Sequence, residues 1–199
     1  HWFSTMFAVL VFTDVIQTGC AFVAIIAGTL ILKGQLKGFL NEHHLHSLGK
    51  MVFASTGFWA YIAFCQFLLI WYTNIPEETI YYLKRADNGW LPYLLILPVL
   101  KFVIPFIVMV PRAGKRQAGR VIAMSVLIVF AQFWELLLMV SPAIGHGEHL
   151  AHGHLPLIEG GITAGFIGLF YLVFEWSLGR HPAVPLKDPG IQACLDYHS

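Results

Sequence analysis

Three charged side chains interrupt long apolar runs in this chain: Asp14, Lys101 and Glu135. A charge in hydrocarbon is costly unless it is paired or hydrated, so each is a candidate for proton or ligand chemistry. On a helix, Asp14 shares a face with Gln17, Thr18, Ala21 and Gly28, at offsets of three, four, seven and fourteen. Ile25, at offset eleven, is bulky and apolar, which confines the polar part of the stripe to about two turns around Asp14. Such a face suits a proton or quinol site. It also suits a hydrogen bond that only ties helices together, which is the commoner use.

Lys101 has Pro98 and Pro105 at offsets of three and four. Each proline removes a backbone hydrogen bond and kinks its helix, and Pro105 frees the carbonyl of Lys101 itself. A broken helix of this kind borders a cavity or a water-filled path, or else the lysine simply pairs with one carboxylate for packing. Gln132 precedes Glu135 by one turn, and the two could line a hydrated path; the alternative is a capped carboxylate near the membrane interface. The candidate proton path is therefore Asp14, Gln17, Lys101, Gln132 and Glu135. Glu175, near the end of its apolar run, reads as a solvated group.

His146, His149, His152 and His154 crowd one loop together with Glu148. The spacing permits a metal site, but no cysteine joins them, and a polar linker is the expected reading; no metal is assigned. His43, His44 and His46 can bind protons or hydrogen-bond lipid or a partner. Cys20, Cys65 and Cys194 are far apart and form neither a CxxC pair nor a CxxCH haem attachment site. Cys20 and Cys65 are expected as small buried side chains. No histidine lies deep in an apolar run, so no membrane-crossing haem is expected on this chain, and no cofactor is assigned to it.

These residues must be held by membrane helices. Hydrophobic residues make up 57% of the 199 and charged residues 12%, with a mean hydropathy of +0.69; soluble domains carry about 25% charged residues. A formal net charge of +1 implies no attraction for nucleic acid. Five runs reach the length of about 20 apolar residues that a spanning helix needs: Phe3–Leu32, Met51–Tyr72, Leu91–Val110, Val121–Val140 and Gly160–Leu178. The first is long enough to tilt or project. Trp2, Trp71, Tyr72, Trp90, Tyr93 and Trp176 sit near span ends, as an aromatic belt would. The chain is thus expected to be all-α, an integral membrane bundle over residues 1–178 with an extended tail over 179–199 carrying Pro182, Pro185 and Pro189.

Between spans, Asn41–Lys50 should lead helically into the second. Asn74 could cap a short interfacial helix with Pro76 in its first turn and Glu77 and Glu78 at its positive end. Lys33, Lys37, Lys50, Arg112, Lys115, Arg116, Arg120, Arg180 and Lys187 fall on one side of the membrane, and Lys84 and Arg85 on the other. The first side is expected to be cytoplasmic, with the C-terminal tail. The chain opens on the lip of a hydrophobic span and is expected to lack a natural N-terminal part. In the fifth span, Gly161 with Gly165 and Ala164 with Gly168 form small-xxx-small pairs that permit close helix contact. At about 1.5 Å per residue, Asp14 lies roughly 16 Å and Lys101 roughly 15 Å from their outer span ends. Glu135 lies only about 7–8 Å from its own, so Asp14 is the expected partner of Lys101 and Glu135 the poorer one.

His1–Phe7, His43–Lys50, Phe58–Phe64 and above all Leu69–Thr79 (LIWYTNIPEET) together resemble one family. The chain is similar to the C-terminal half of ActF-type proteins, NrfD-like membrane subunits of bacterial alternative complex III. The likeness covers most of the chain and is weakest in the histidine-rich loop. It implies about ten membrane helices in the whole protein, of which these are the last five, in a bacterial inner membrane. It implies partners: a second NrfD-like subunit, which is usually given the quinol site, a multihaem cytochrome c and an iron–sulfur subunit. Haem c, iron–sulfur clusters and quinol are then expected in the complex, with this chain as scaffold and possible proton path. The alternatives are a quinol-binding subunit in its own right, near Asp14, or half of a secondary transporter, for which broken helices with a midplane charge are suited.

The loop charges make a topological prediction. A cysteine introduced between Arg112 and Arg120 should be shielded from an impermeant thiol reagent in intact cells, and one near His149 should react. The reverse pattern would overturn the orientation.

Overall fold

The structure is a computed structural model and describes residues 5–34, 40, 42–87, 89–140 and 157–180. Eight α-helices and one π-helical turn are formed by these residues, with no strand among them. They are α1 (Thr5–Leu32), α2 (Glu42–Thr73), α3 (Pro76–Asp87), α4 (Leu91–Pro98), the π turn (Val99–Val103), α5 (Ile104–Met109), α6 (Arg112–Arg116), α7 (Ala118–Val140) and α8 (Leu157–Leu178). Five segments are long and apolar enough to cross a membrane: Met6–Leu32, His43–Thr73, Leu91–Met109, Ala118–Val140 and Gly160–Leu178. The chain is an all-α membrane bundle.

The second span begins well before Met51, because the polar Glu42–Lys50 stretch continues α2 without a break, as a helical lead-in should. Asn74 does not cap α3. Its φ of +48° places it in the left-handed region, and its N–H donates to the Ile70 carbonyl, so it closes α2. The Ile75 carbonyl instead accepts from the N–H groups of Glu78 and Thr79, with Pro76 in the first turn of α3 as expected.

The core is made by α1, α2, α7 and the broken third span, packed antiparallel in sequence order. Near the end covered by α3, Leu10, Trp59, Ile62, Trp90 and Leu138 form one apolar cluster. Toward the other end, Ala21, Ala24, Val52, Val121 and Ile128 form a second. Small residues on α1 allow the close approach there: a Cβ on Gly28 would meet the Ile122 Cγ1 at 2.7 Å. Trp90 is not a belt residue. It is 3% exposed, because it packs into the apolar cluster with side chains of α1, α2 and α7. Trp71, Tyr72 and Trp176 are exposed, as a belt requires.

Helix α8 stands apart. None of its spanning residues in the apolar window is buried, and its ring contact is an edge-to-face one between Phe170 and Phe22 of α1 at 5.4 Å. A Cβ at Gly161, Gly165 or Gly168 would meet nothing within 4 Å, so the small-residue faces pack against no helix among the described residues. The histidine-rich loop, the 181–199 tail with Cys194, and residues 1–4 lie outside the described residues. Cys20 and Cys65 are half-buried free thiols rather than fully buried ones.

Gly114, in α6 between the third span and α7, has no room for a side chain. A Cβ there would fall on the Val108 carbonyl oxygen, whereas at Gly119 it would meet nothing. Gly114→Ala should cost about 1–3 kcal/mol of stability through overpacking against backbone. Gly119→Ala, inside α7, should be neutral or stabilising by up to about 1 kcal/mol. Thermal unfolding of the two variants in one detergent checks the contrast.

A buried lysine held by three helices

Lys101 lies at the centre of the π turn and is fully buried. The turn follows from the prolines around it. Pro98 ends α4, and the Ile104 N–H reaches back five residues to the Val99 carbonyl. Pro105 has no N–H to offer the Lys101 carbonyl. That carbonyl accepts instead from Gln17 Nε2 of α1 at 3.3 Å, and the same amide nitrogen lies 3.3 Å from Thr56 Oγ1 of α2. The wider π turn also shifts the phase of the helix. Pro105 stays buried beside Lys101, but Pro98 is exposed, so the two prolines do not share the lysine's face.

The ammonium has three N–H groups, and each has an acceptor. Lys101 Nζ is 2.5 Å from Asp14 Oδ1 and 2.6 Å from Gln132 Oε1, and it also pairs with Glu135 Oε2. Thr18 Oγ1 donates to the same Gln132 oxygen at 3.3 Å, which fixes that amide with its oxygen toward the lysine. Nζ lies 4.4 Å from the centroid of the Trp59 ring, a cation–π position. Asp14 is 5% exposed and Glu135 is 6% exposed. All five candidates, Asp14, Gln17, Lys101, Gln132 and Glu135, therefore meet in one place.

The pairing of Asp14 with Lys101 agrees with the depth count along the helices. Glu135 also pairs with Lys101 and is buried, so it is neither the poorer partner nor a capped interfacial carboxylate. Backbone depth alone does not decide the pairing, because Cα–Cβ bonds lean toward a helix's N-terminus. The third span and α7 are antiparallel, so Lys101 and Glu135 lean toward each other along the bundle axis. Two long side chains then close the gap of about 7–8 Å.

No protein-family model and no curated protein matches this chain. What the site can do is read from its own geometry.

Thr56 and Trp59 were not among the sequence candidates. Their signal is a polar residue and a tryptophan three apart on a span whose other residues are mostly apolar. Arg85 was missed for another reason: it was counted as a loop charge, yet it is 4% exposed. His46 is 6% exposed as well, so it is held within the protein rather than offered to lipid. Glu175 is exposed and accepts from the Tyr171 hydroxyl at 2.5 Å, as a solvated end residue can. Among the described residues no cluster of three or more metal-ligating side chains was found.

The three-way pairing sets the expected cost of each substitution. Asp14→Asn leaves Glu135 as the counter-ion of Lys101, and Glu135→Gln leaves Asp14. Either single variant should assemble. The double variant leaves a buried ammonium with no counter-ion, and Lys101→Met leaves two carboxylates with no cation; each should cost about 3–5 kcal/mol. The amount of folded protein in membranes, read by size-exclusion of the detergent extract, checks this order. Equal yields of single and double variants would contradict it.

Proposed function

We propose that the chain is a membrane subunit of a quinol-oxidising electron-transfer complex, serving as a scaffold whose Asp14–Lys101–Glu135 cluster carries protons. The observation that carries the proton role is the charge count at the buried site. Two carboxylates surround one ammonium, so the ionised cluster holds one negative charge in excess. One added proton makes it neutral, and burial penalises net charge strongly. Such a site takes up and releases a single proton. Gln17 Oε1 and Trp59 Nε1, beside the cluster, are buried without a protein partner, and polar groups of this kind are commonly satisfied by water.

The electron-transfer setting is supported by the resemblance of the sequence to ActF-type subunits. The exposed glycine faces of α8 support membership of a larger assembly, since small-residue faces favour close helix contact. In this reading the α3 end faces outward and the C-terminal tail the cytoplasm, by the loop charges. Haem c, iron–sulfur clusters and quinol belong to the partner subunits. Quinol binding at Asp14 is disfavoured, because Lys101 already occupies its carboxylate. A transporter half remains the second reading, favoured by the π-broken third span with its midplane charge.

Affinity purification of the tagged chain from its native membrane tests the setting: subunits with haem c and iron–sulfur signals should come with it. In the intact complex, Asp14→Asn and Glu135→Gln should slow proton-coupled turnover by about tenfold or more while leaving assembly unchanged. Normal turnover in both variants would remove the proton role. Isolation as a lone protein that binds a small solute would favour transport.

A further inference from the structure

Helix α3 lies over one end of the bundle, where Arg85 ties it to α7 and Tyr82 packs edge-to-face on Phe67 of α2. The Arg85 guanidinium donates through Nε to the Leu138 carbonyl at 3.0 Å and through Nη2 to the Met139 carbonyl at 3.2 Å. Nη1 donates to the Tyr81 carbonyl at 2.5 Å, and the guanidinium carbon lies 3.5 Å from the Tyr81 ring centroid. The positive charge thus sits on the last turn of α7, where the helix leaves carbonyls without partners. Leu138 and Met139 are one turn beyond Glu135 on that helix.

Tyr81 lies beside the Arg85 guanidinium, one turn before it on α3. Burial pushes its hydroxyl up from the ordinary tyrosine value, and the neighbouring Arg85 holds it down. Toward the other end of the bundle the surroundings are different. Ala21, Ala24, Val52, Met109, Val121 and Ile128 are all fully buried there. The hydroxyls of Ser55 and Thr56 both donate to the Val52 carbonyl of their own helix, and Ser125 is buried on α7 without a partner.

We infer that Arg85, seated on Tyr81, forms the gate through which the Asp14–Lys101–Glu135 cluster exchanges protons with water at the α3 end, the packing toward the opposite end being apolar among the described residues. The gate's purpose rests on the reading of the cluster as a proton site; its geometry does not. The proton moves between a cluster carboxyl and water at the mouth, and no other reactant is involved. Arg85 keeps α3 closed over this end through its bonds to α7, and the Tyr81 ring and carbonyl hold the guanidinium in place. When the Arg85 bonds to Leu138 and Met139 open, water reaches the cluster from that side alone.

Cysteine accessibility tests the gate without depending on turnover. In the full chain in its native membrane, with Cys20, Cys65 and Cys194 replaced by alanine, Leu138→Cys reports on the passage and keeps the whole cluster. Glu135→Cys is a second reporter. The probe is a small, cationic, membrane-impermeant methanethiosulfonate, added to right-side-out or inverted vesicles. Both reporters should react slowly from the α3 side and not from the other. Arg85→Ala should speed the reaction at least about tenfold, as expected when an opening no longer breaks hydrogen bonds to a charged group. Where Arg85→Ala lowers assembly, Arg85→Lys keeps the charge, loses the fork and should move the rate in the same direction. Reaction from the opposite side, or rates indifferent to Arg85, would overturn the gate. Fast labelling in the Arg85 variants with normal turnover in Asp14→Asn and Glu135→Gln would keep the gate and remove the proton role. Slowed turnover in those two variants with labelling indifferent to Arg85 would do the reverse.

Discussion

A lysine with no exposure to solvent constrains the rest of this bundle. An ammonium in a low-dielectric interior is tolerable only when each of its donors has an acceptor and its charge has a partner. Lys101 meets that condition by drawing acceptors from two other helices: Asp14 from α1, and Gln132 and Glu135 from α7. The demand fixes how α1 and α7 are rotated about their axes and how far each is shifted along the other. In hydrocarbon this matters more than in water. Apolar side chains gain little by choosing one helix over lipid, so polar contacts and close packing must specify the arrangement.

The backbone around Lys101 is bound to the same arrangement. A proline four residues on leaves a carbonyl unpaired inside the membrane, which is costly unless another group reaches it. Gln17 is that group, one turn along α1 from Asp14. Helix α1 therefore answers both the charge of Lys101 and its freed carbonyl, with two side chains on one face. The π turn and the acid are parts of a single solution, since the turn aims the lysine where the carboxylates stand.

Much of this was legible in the sequence, because membrane helices advertise their exceptions. Five apolar runs and a handful of polar residues in them were enough to name the spans and every side chain of the cluster except Thr56 and Trp59. The failures share a cause. Backbone depth misplaces Glu135, because side chains on antiparallel helices lean toward each other along the bundle axis. Trp90 reads as a span-end residue and Arg85 as a loop charge, yet Trp90 packs into the apolar cluster and Arg85 is drawn onto the end of α7. Pro98 was placed by α-helical spacing, which the π turn breaks. Asn74 is a residue type that suits either side of a helix boundary, and only its positive φ decides. In α8, by contrast, every face is apolar, so no pattern in the sequence says which side meets protein.

The charge arrangement also explains why one lysine with two acids is a better proton site than one lysine with one. In a simple pair, protonating the acid leaves the ammonium alone in the interior, at a cost of several kcal/mol. In the proposed role, either Asp14 or Glu135 takes the proton, and the other continues to balance Lys101. Protonated or not, the ammonium then always has a counter-ion, and the carboxyl that gains the proton can still bond to its neighbours as an acceptor. The proton can be held on α1 or on α7, so the two acids are alternative seats for the same proton about one cation. Lys101 would then be the fixed centre between the two acids, and the directional step would be made at the α3 end, where Arg85 ties α3 to α7 one turn beyond Glu135.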